Sequence, residues 1–467
     1  MQNQIRARGT NGRSAFGGLA RRRGSVLIVA IGIIIVLTGL TLVFARQMRV
    51  EALAAGNLFN SIQADAIVRG AAQHVRNRLV SNSDPSTLDS EIQSEEVSLG
   101  EGRFWMLRPN PADERQFAWG VADEASKLNI NTATYDMLLA LPGMTPELAA
   151  SIVDWRDPDD NVTQGLGAEN SYYLLLPEPY ACKNGPFETL DELLLVKGAT
   201  KETLFGVDAN RNGVVDETEA ARSGPLAGLN GQAQCGVCKY LTCYSAESNT
   251  TQAGRTRTFV GDTNGGTLNS IRSLLSRSLP ENRVGVILAN LRRSAPATNV
   301  LDFYVKAGLT TDEFKPLADQ ITTNRGATIR GRINVNTASR EVLRCLPGME
   351  DADVDLILAK RAGNGADRSN LAWIAAALAP AKAARIGGLI TTRSFQYLAD
   401  VVGVSGNGRS FKRIQYLFDL RTSPARVLHS KDLTYLGWPL SGDIWQALHN
   451  GEAGKETADS KFSLGIR

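Results

Sequence analysis

At 467 residues the chain is too long for one ordinary core, and two or three domains are expected. Its 51 basic and 48 acidic residues nearly cancel, which gives no support for nucleic-acid binding and no reason to expect one strongly acidic partner. Three His occur, at positions 74, 429 and 449, too scattered for a His-based catalytic or zinc cluster to be read.

The first feature in chain order is a run of 21 uncharged residues, Ser25 to Ala45, long enough to cross a bilayer as a helix. Six Arg and no acid precede it, so its N-terminal side should stay in the cytoplasm and the bulk of the chain should face a bacterial periplasm. A secretory signal would carry a shorter apolar core with a small-residue cut after it. Here the expected cut precedes the run, between Gly24 and Ser25, in an arrangement that resembles a type IV prepilin or pseudopilin leader removed by a prepilin peptidase. An uncut signal anchor is the plainer alternative.

Leu53, Leu58, Ile62, Ala66, Val68, Ala72, Val75 and Leu79 continue a roughly helical apolar stripe to about Leu79. Residues 103–107 and 116–121 read as a hairpin. Ser394 to Val404 and Ser410 to Leu420 alternate, with Ile414, Tyr416, Phe418 and Leu420 on one face and Gly406-Asn407-Gly408 turning between them. A long helix laid on an antiparallel sheet is a pilin-like α+β unit. The expected division is a leader at 1–24, a transmembrane helix at 25–45, the helix and first strands at 46–128, and a mostly helical insertion at 129–385. The remaining strands follow at 386–440, and a tail at 441–467 should fray after Gly451.

The insertion carries an internal repeat. Asn129-Ile130-Asn131-Thr132-Ala133 recurs as Asn334-Val335-Asn336-Thr337-Ala338, and Leu141-Pro142-Gly143-Met144 as Leu346-Pro347-Gly348-Met349. Ile152 and Arg156 match Ile357 and Arg361. Each copy (129–156 and 334–361) reads as a Thr-capped helix, a Pro-Gly turn and a second helix, a helix-hairpin-helix pattern. Thr189 and Glu192 form a capping box between the copies. Ser245 to Gly266, rich in Ser, Thr, Gly and Asn, reads as an exposed loop. Hairpins of this kind bind DNA phosphates through a Gly-x-Gly turn, but the second Gly is absent here. Glu147, Asp351, Asp353 and Asp355 would repel phosphate, so no nucleic-acid partner is expected.

The sharpest local motif is Asp208 to Glu219, which fits an EF-type calcium loop. Asp208, Asn210, Asn212, Asp216 and Glu219 supply oxygens, Val214 offers its carbonyl, and Gly213 takes the sharp turn. A weaker candidate is the acidic stretch from Asp154 through Asp157, Asp159 and Asp160 to Glu169, which reads equally as a solvated loop. Cys235, Cys238 and Cys243 crowd together; with Cys182 they suggest a cross-linked periplasmic loop or a small zinc knot, while Cys345 reads as a core thiol. No nucleophile elbow, P-loop or His-Glu metal motif emerges, which argues against an enzyme.

Leader, paired Asn-x-Asn-Thr-Ala hairpins and split pilin-like fold together resemble the general secretion pathway protein K family, the large minor pseudopilins of type II secretion. The segment Ile152 to Asp160, Tyr172-Tyr173 and Lys183-Asn184-Gly185-Pro186-Phe187 resemble it too. The resemblance implies a non-enzymatic component at the pseudopilus tip, anchored first in the inner membrane, binding calcium and partnered by smaller minor pseudopilins. The fifth residue after the expected cut is Val29 where ordinary pseudopilins carry Glu, a departure that suits a subunit capping the tip. A membrane-anchored competence-type DNA receptor is the alternative, and a membrane-tethered calcium-dependent hydrolase is a third reading.

Overall fold

The computed structural model describes residues 22–81 (side chains from Val26), 96–110, 116–216, 219, 235–363 and 367–450. They form two compact units, one reaching Asn60 and the other beginning at Ser61. The first unit is the helix that starts at Arg22. Every side chain from Val26 to Phe59 is exposed, and the helix is long and apolar enough to span a membrane. The two early hydroxyls among its described side chains are satisfied internally: Thr38 Oγ1 donates to Ile34 O at 2.7 Å and Thr41 Oγ1 to Leu37 O at 2.8 Å. A helix in hydrocarbon needs that self-sufficiency.

In the second unit the same helix ends at Ser81 and lies on an antiparallel sheet. Ala64, Ile67, Val68, Ala71, Ala72, Val75 and Leu79 are buried, at the three- and four-residue spacing of one helix face. This corrects the expected stripe, because Ile62 and Ala66 point outward. The buried face meets Phe104, Met106, Tyr397, Val401 and Phe418. Close approach needs small residues opposite: a Cβ at Gly403 would stand 2.5 Å from Val68 Cγ2.

Sheet order runs Val97–Leu99, Gly102–Arg108, Gln396–Val404, Phe411–Asp419, Arg426–Asp432. The expected 394–420 hairpin is present, with Val404 opposite Phe411. Its inward face is also as expected, Phe418 being buried and Ile414, Tyr416 and Leu420 packed beside it. The expected 103–121 hairpin is reduced to Leu107 opposite Trp119 and Arg108 opposite Ala118. Gly102–Arg108 instead pairs with the short strand Val97–Leu99 and, far along the chain, with Gln396–Val404. On the sheet's other face Trp105, Leu107, Val402 and Val404 pack with Leu440 and Leu448. Leu448 belongs to the helix Gly442–Asn450, a segment assigned to the tail by sequence.

Between the strands, helices alternate with two-residue ladders that no periodicity announced. Three ladders are parallel: Leu128–Asn129 with Leu241–Thr242, Thr258–Phe259 with Ile321–Thr322, and Ile333–Asn334 with Ile390–Thr391. They are built alike. Ile130 N, Val260 N and Val335 N donate to Thr242 O, Thr322 O and Thr391 O at 2.8, 2.8 and 3.0 Å. Each of those Thr hydroxyls then accepts the amide two residues on, from Tyr244, Asn324 and Arg393. The middle ladder has no Asn-x-Asn-Thr-Ala motif. Its strand Thr258–Phe259, with Ala246–Ser248, occupies the stretch expected to be a loop.

Each repeated motif leads into a short helix, a turn and a longer helix: Tyr135–Leu139 then Pro146–Arg156, and Arg340–Arg344 then Asp351–Ala362. The caps of the first helices are Thr134 and Ser339, not the motif threonines. Thr337 Oγ1 instead donates to the buried Asp123 at 2.5 Å. Gly143 and Gly348 turn with φ of 78° and 74°, values that favour glycine. The matched arginines also have a role. Arg156 donates to Ile130 O and Ala133 O, and Arg361 to Val335 O and Ala338 O, tying each second helix back to the start of its own motif. Thr189 and Glu192 form their capping box.

Candidate metal centre

The loop from Asp208 folds as its residue types demand. Asp208 Oδ1 and Oδ2 accept Asn212 N at 3.0 Å and Gly213 N at 2.8 Å, and Asn212 Oδ1 accepts Val214 N at 2.7 Å. Glu219 Oε1 accepts Ala209 N and Asn210 N; its Oε2 accepts Asp216 N. Asp208, Asn212 and Glu219 are buried, whereas Asp216 is exposed. Burial, reinforced by the charge of Glu219, raises the Asp208 carboxyl to about 6. Arg413, itself buried, clamps the turn by donating to Asn210 O and Arg211 O while paired with Asp400 at 2.6 Å. The loop is therefore closed by its own amides, and Asn212 Nδ2 is bonded to Pro439 O at 2.7 Å.

The acidic stretch that looked weaker in sequence shows the greater unmet demand. Glu169 is 2 % exposed, and neither of its carboxylate oxygens receives a hydrogen bond of ordinary geometry; its neighbour Cys182 offers only a weak thiol donor. Asp154 is fully buried, with Oδ1 accepting Thr163 N at 2.9 Å and Oδ2 unpartnered. Asp157 Oδ1 and Asn184 Oδ1 are also buried and unpartnered. A Cβ on Gly167 would collide with Asp154 Oδ2, so the backbone there leaves the carboxylate its space. Burial first, then the charges of Asp154, Asp157 and Asp160, push the Glu169 carboxyl up to about 7. Asp157 is raised as well, by burial and then by Asp159 and Asp154.

Asp159 and Asp160 turn aside. Asp159 Oδ1 accepts from Asn161 N and Nδ2, and Asp160 Oδ1 from Asn170 Nδ2 at 3.1 Å. The oxygens that stay unmet are those of Asp154, Asp157, Glu169 and Asn184. Of these, Asn184 carried no sequence signal beyond its Asn-Gly pair, and its φ of 44° is what presents it. Among the described residues, no three His, Cys, Asp or Glu side chains are drawn close enough to ligate one ion as they stand. Uncompensated carboxylates repel one another. Hard, negatively charged oxygens left without donors in a buried position fit calcium, which takes six to eight oxygens in adaptable geometry.

The cysteine expectation is corrected. Cys182, Cys235, Cys238, Cys243 and Cys345 are all free, so no cross-link joins them, and among the described residues none of them belongs to a group of three metal-ligating side chains. Cys182 lies over Asp154 O at 3.8 Å, and Cys345 donates to Glu341 O at 3.1 Å. Burial pushes the thiols of Cys235 and Cys238 up to about 12. Around the second Pro-Gly turn the cations are engaged internally: Arg340 with Asp351 and Asp355, and Lys382 with Asp353 at 2.6 Å. Val29 sits in the apolar helix with its side chain exposed. Gly24 and Ser25 fall in that helix ahead of the described side chains, and residues 1–21 lie outside the described residues.

Residues 119–206 match a family model described as type II secretion system (T2SS), protein K. The matched window holds the first repeated motif and the whole acidic stretch. No curated protein matches the chain. Among solved structures, the crystal structure of the GspK-GspI-GspJ complex from the enterotoxigenic Escherichia coli type 2 secretion system is similar at 13 % identity. That match covers 83 % of this chain and 99 % of the other, with a TM-score of 0.35.

Proposed function

We propose that the chain is a member of the type II secretion protein K family, whose model matches residues 119–206, and that it is a non-enzymatic minor pseudopilin. It would be held in the inner membrane by the helix from Ser25 and placed at the pseudopilus tip after a prepilin peptidase cuts between Gly24 and Ser25. One observation carries the reading. A helix with exposed apolar side chains from Val26 to Phe59 continues, after Ser61, into a stripe packed on an antiparallel sheet. A helix with an unburied apolar surface is what bundling with like helices requires. Smaller minor pseudopilins are the partners this end would take, in support of protein export across the outer membrane.

Val29 supports the tip position. A Glu there would carry its charge into hydrocarbon, at a cost that only a neighbour's amine offsets. A capping subunit has no use for that pairing. Calcium would serve as a structural clamp, held by Asp154, Asp157, Glu169 and Asn184, with the Asp208–Glu219 loop as a second position.

Two measurements test the reading. Intact mass in membranes with active prepilin peptidase should give a chain beginning at Ser25; a chain beginning at Met1 overturns the leader. A photo-crosslinking residue at Leu53 should trap the smaller minor pseudopilins in secreting cells. Salt-sensitive duplex binding at micromolar protein would instead favour a DNA receptor.

A further inference from the structure

The described residues after Ser61 include fourteen large apolar side chains that stand exposed, and seven of them fall between positions 162 and 195. Leu175 is 85 % exposed and Leu174 55 %; Val162, Leu166, Tyr172, Leu194 and Leu195 complete the set. Hydrogen bonds and ring contacts make several of them neighbours. Lys197 Nζ donates to Leu166 O at 3.2 Å and lies 5.2 Å from the centre of the Tyr172 ring. Tyr180 donates to Leu195 O at 2.7 Å, and its ring lies 5.4 Å from that of Tyr173, which adjoins Leu174 and Leu175. Single exposed apolar residues need no explanation, but a clustered set marks a contact surface.

The segment that carries these side chains is acidic. From Asp154 to Lys197 the chain has nine acids and three bases. Asp159, Asp160, Glu178 and Glu188 stand exposed among them. One bound dication would leave the sign unchanged. An anionic lipid surface is repelled by such a rim, and a basic protein surface is attracted.

We propose that this face is a docking site for a protein partner that presents apolar side chains within a basic rim. It is separate from the apolar N-terminal helix and does not depend on the pseudopilin assignment. Apolar burial would supply affinity, and the acidic rim would supply orientation and association rate.

The test uses the full chain in phosphatidylcholine nanodiscs. Three labelled 18-residue helical peptides serve as probes: Leu/Lys amphipathic, Leu/Glu amphipathic and Ser/Lys. Anisotropy is read as the difference between wild type and Leu175→Asp, a change at a side chain too exposed to disturb folding. The Leu/Lys peptide should bind wild type at least tenfold tighter than Leu175→Asp. The Leu/Glu and Ser/Lys peptides should show no such difference. Glu178→Lys with Glu188→Lys should weaken Leu/Lys binding severalfold and remove most of its salt dependence. Equal binding of the Leu/Lys and Leu/Glu peptides overturns the charge argument. Equal binding of Ser/Lys and Leu/Lys overturns the apolar one. Self-association abolished by Leu175→Asp makes the occupant a second copy, and Leu175-dependent binding to phosphatidylglycerol vesicles makes it a membrane; either result overturns the proposal.

Discussion

Glu169→Gln should stabilise the calcium-free protein and destabilise the calcium-loaded one. Moving the carboxyl from 4.5 to about 7 penalises its ionised form by about 3 kcal/mol, at about 1.4 kcal/mol per pH unit. Solvent at the neighbouring exposed carboxylates screens part of this, so about 1.5 kcal/mol is expected. Gln removes the charge at nearly constant volume, and in chelator the melting temperature should rise by about 3 °C. If the proposed site binds calcium, a hundredfold excess over its dissociation constant would add about 2.7 kcal/mol to the folded wild type. The variant, short of a charged ligand, should lose most of that gain and melt below wild type. Thermal unfolding of the full chain in detergent, with chelator or with calcium, reads both signs. A variant that melts lower than wild type in chelator, or that gains as much from calcium as wild type does, would refute the reasoning.

In chelator, stability should rise as pH falls from 7.5 to 5.5. Glu169 and Asp208 have folded pKa values of about 7 and about 6, above their ordinary values, so the folded state holds more protons in that window. The gain from calcium should shrink over the same range, and a flat pH profile in chelator would count against the unmet-carboxylate picture. Arg361→Met should cost about 2 kcal/mol in urea unfolding by removing charged donors from Val335 O and Ala338 O; a loss under 0.5 kcal/mol, on the order of a neutral surface change, would mean that the tie is idle. Gly403→Val should cost about 1–3 kcal/mol, because Val68 Cγ2 and Ala64 O leave no room for a side chain. Glu219→Gln should increase protease cutting around residues 205–216 if calcium holds that loop; unchanged cutting with and without chelator assigns the loop's order to its own amides.

Sequence reading found the elements whose physics is local. Residues 394–420 alternate and carry a Gly-Asn-Gly turn, so the strands, their turn and the inward face could all be written down. Val97–Leu99 is too short to show a period. Arg426–Asp432 is an edge strand that exposes Val427 and Leu428, so its pattern does not alternate. The parallel ladders are two residues long, and their bonds join positions as far apart as Asn129 and Thr242. The Asp208–Glu219 loop was legible as a set of residue types, but not the amides on which its oxygens are spent. The demand at Glu169 was invisible for the opposite reason. It arises because Glu169 is buried with the charges of Asp154, Asp157 and Asp160 near it, and one-dimensional spacing shows only a polar loop.

The three parallel ladders bear on how the chain can reach its final form. The strands of the main sheet are separated by roughly 270 residues between Asp123 and Gln396. Brought together as one open loop, they would face a large entropic barrier. Each ladder closes a loop of its own, from Asn129 to Thr242, Phe259 to Thr322 and Asn334 to Thr391. With those loops shut, roughly 40 residues remain to be spanned, and the logarithmic law makes the final closure about 1.7 kcal/mol cheaper. A chain delivered through a membrane from its N-terminus would then assemble the inserted modules in order of emergence, and the sheet would be the last part to lock.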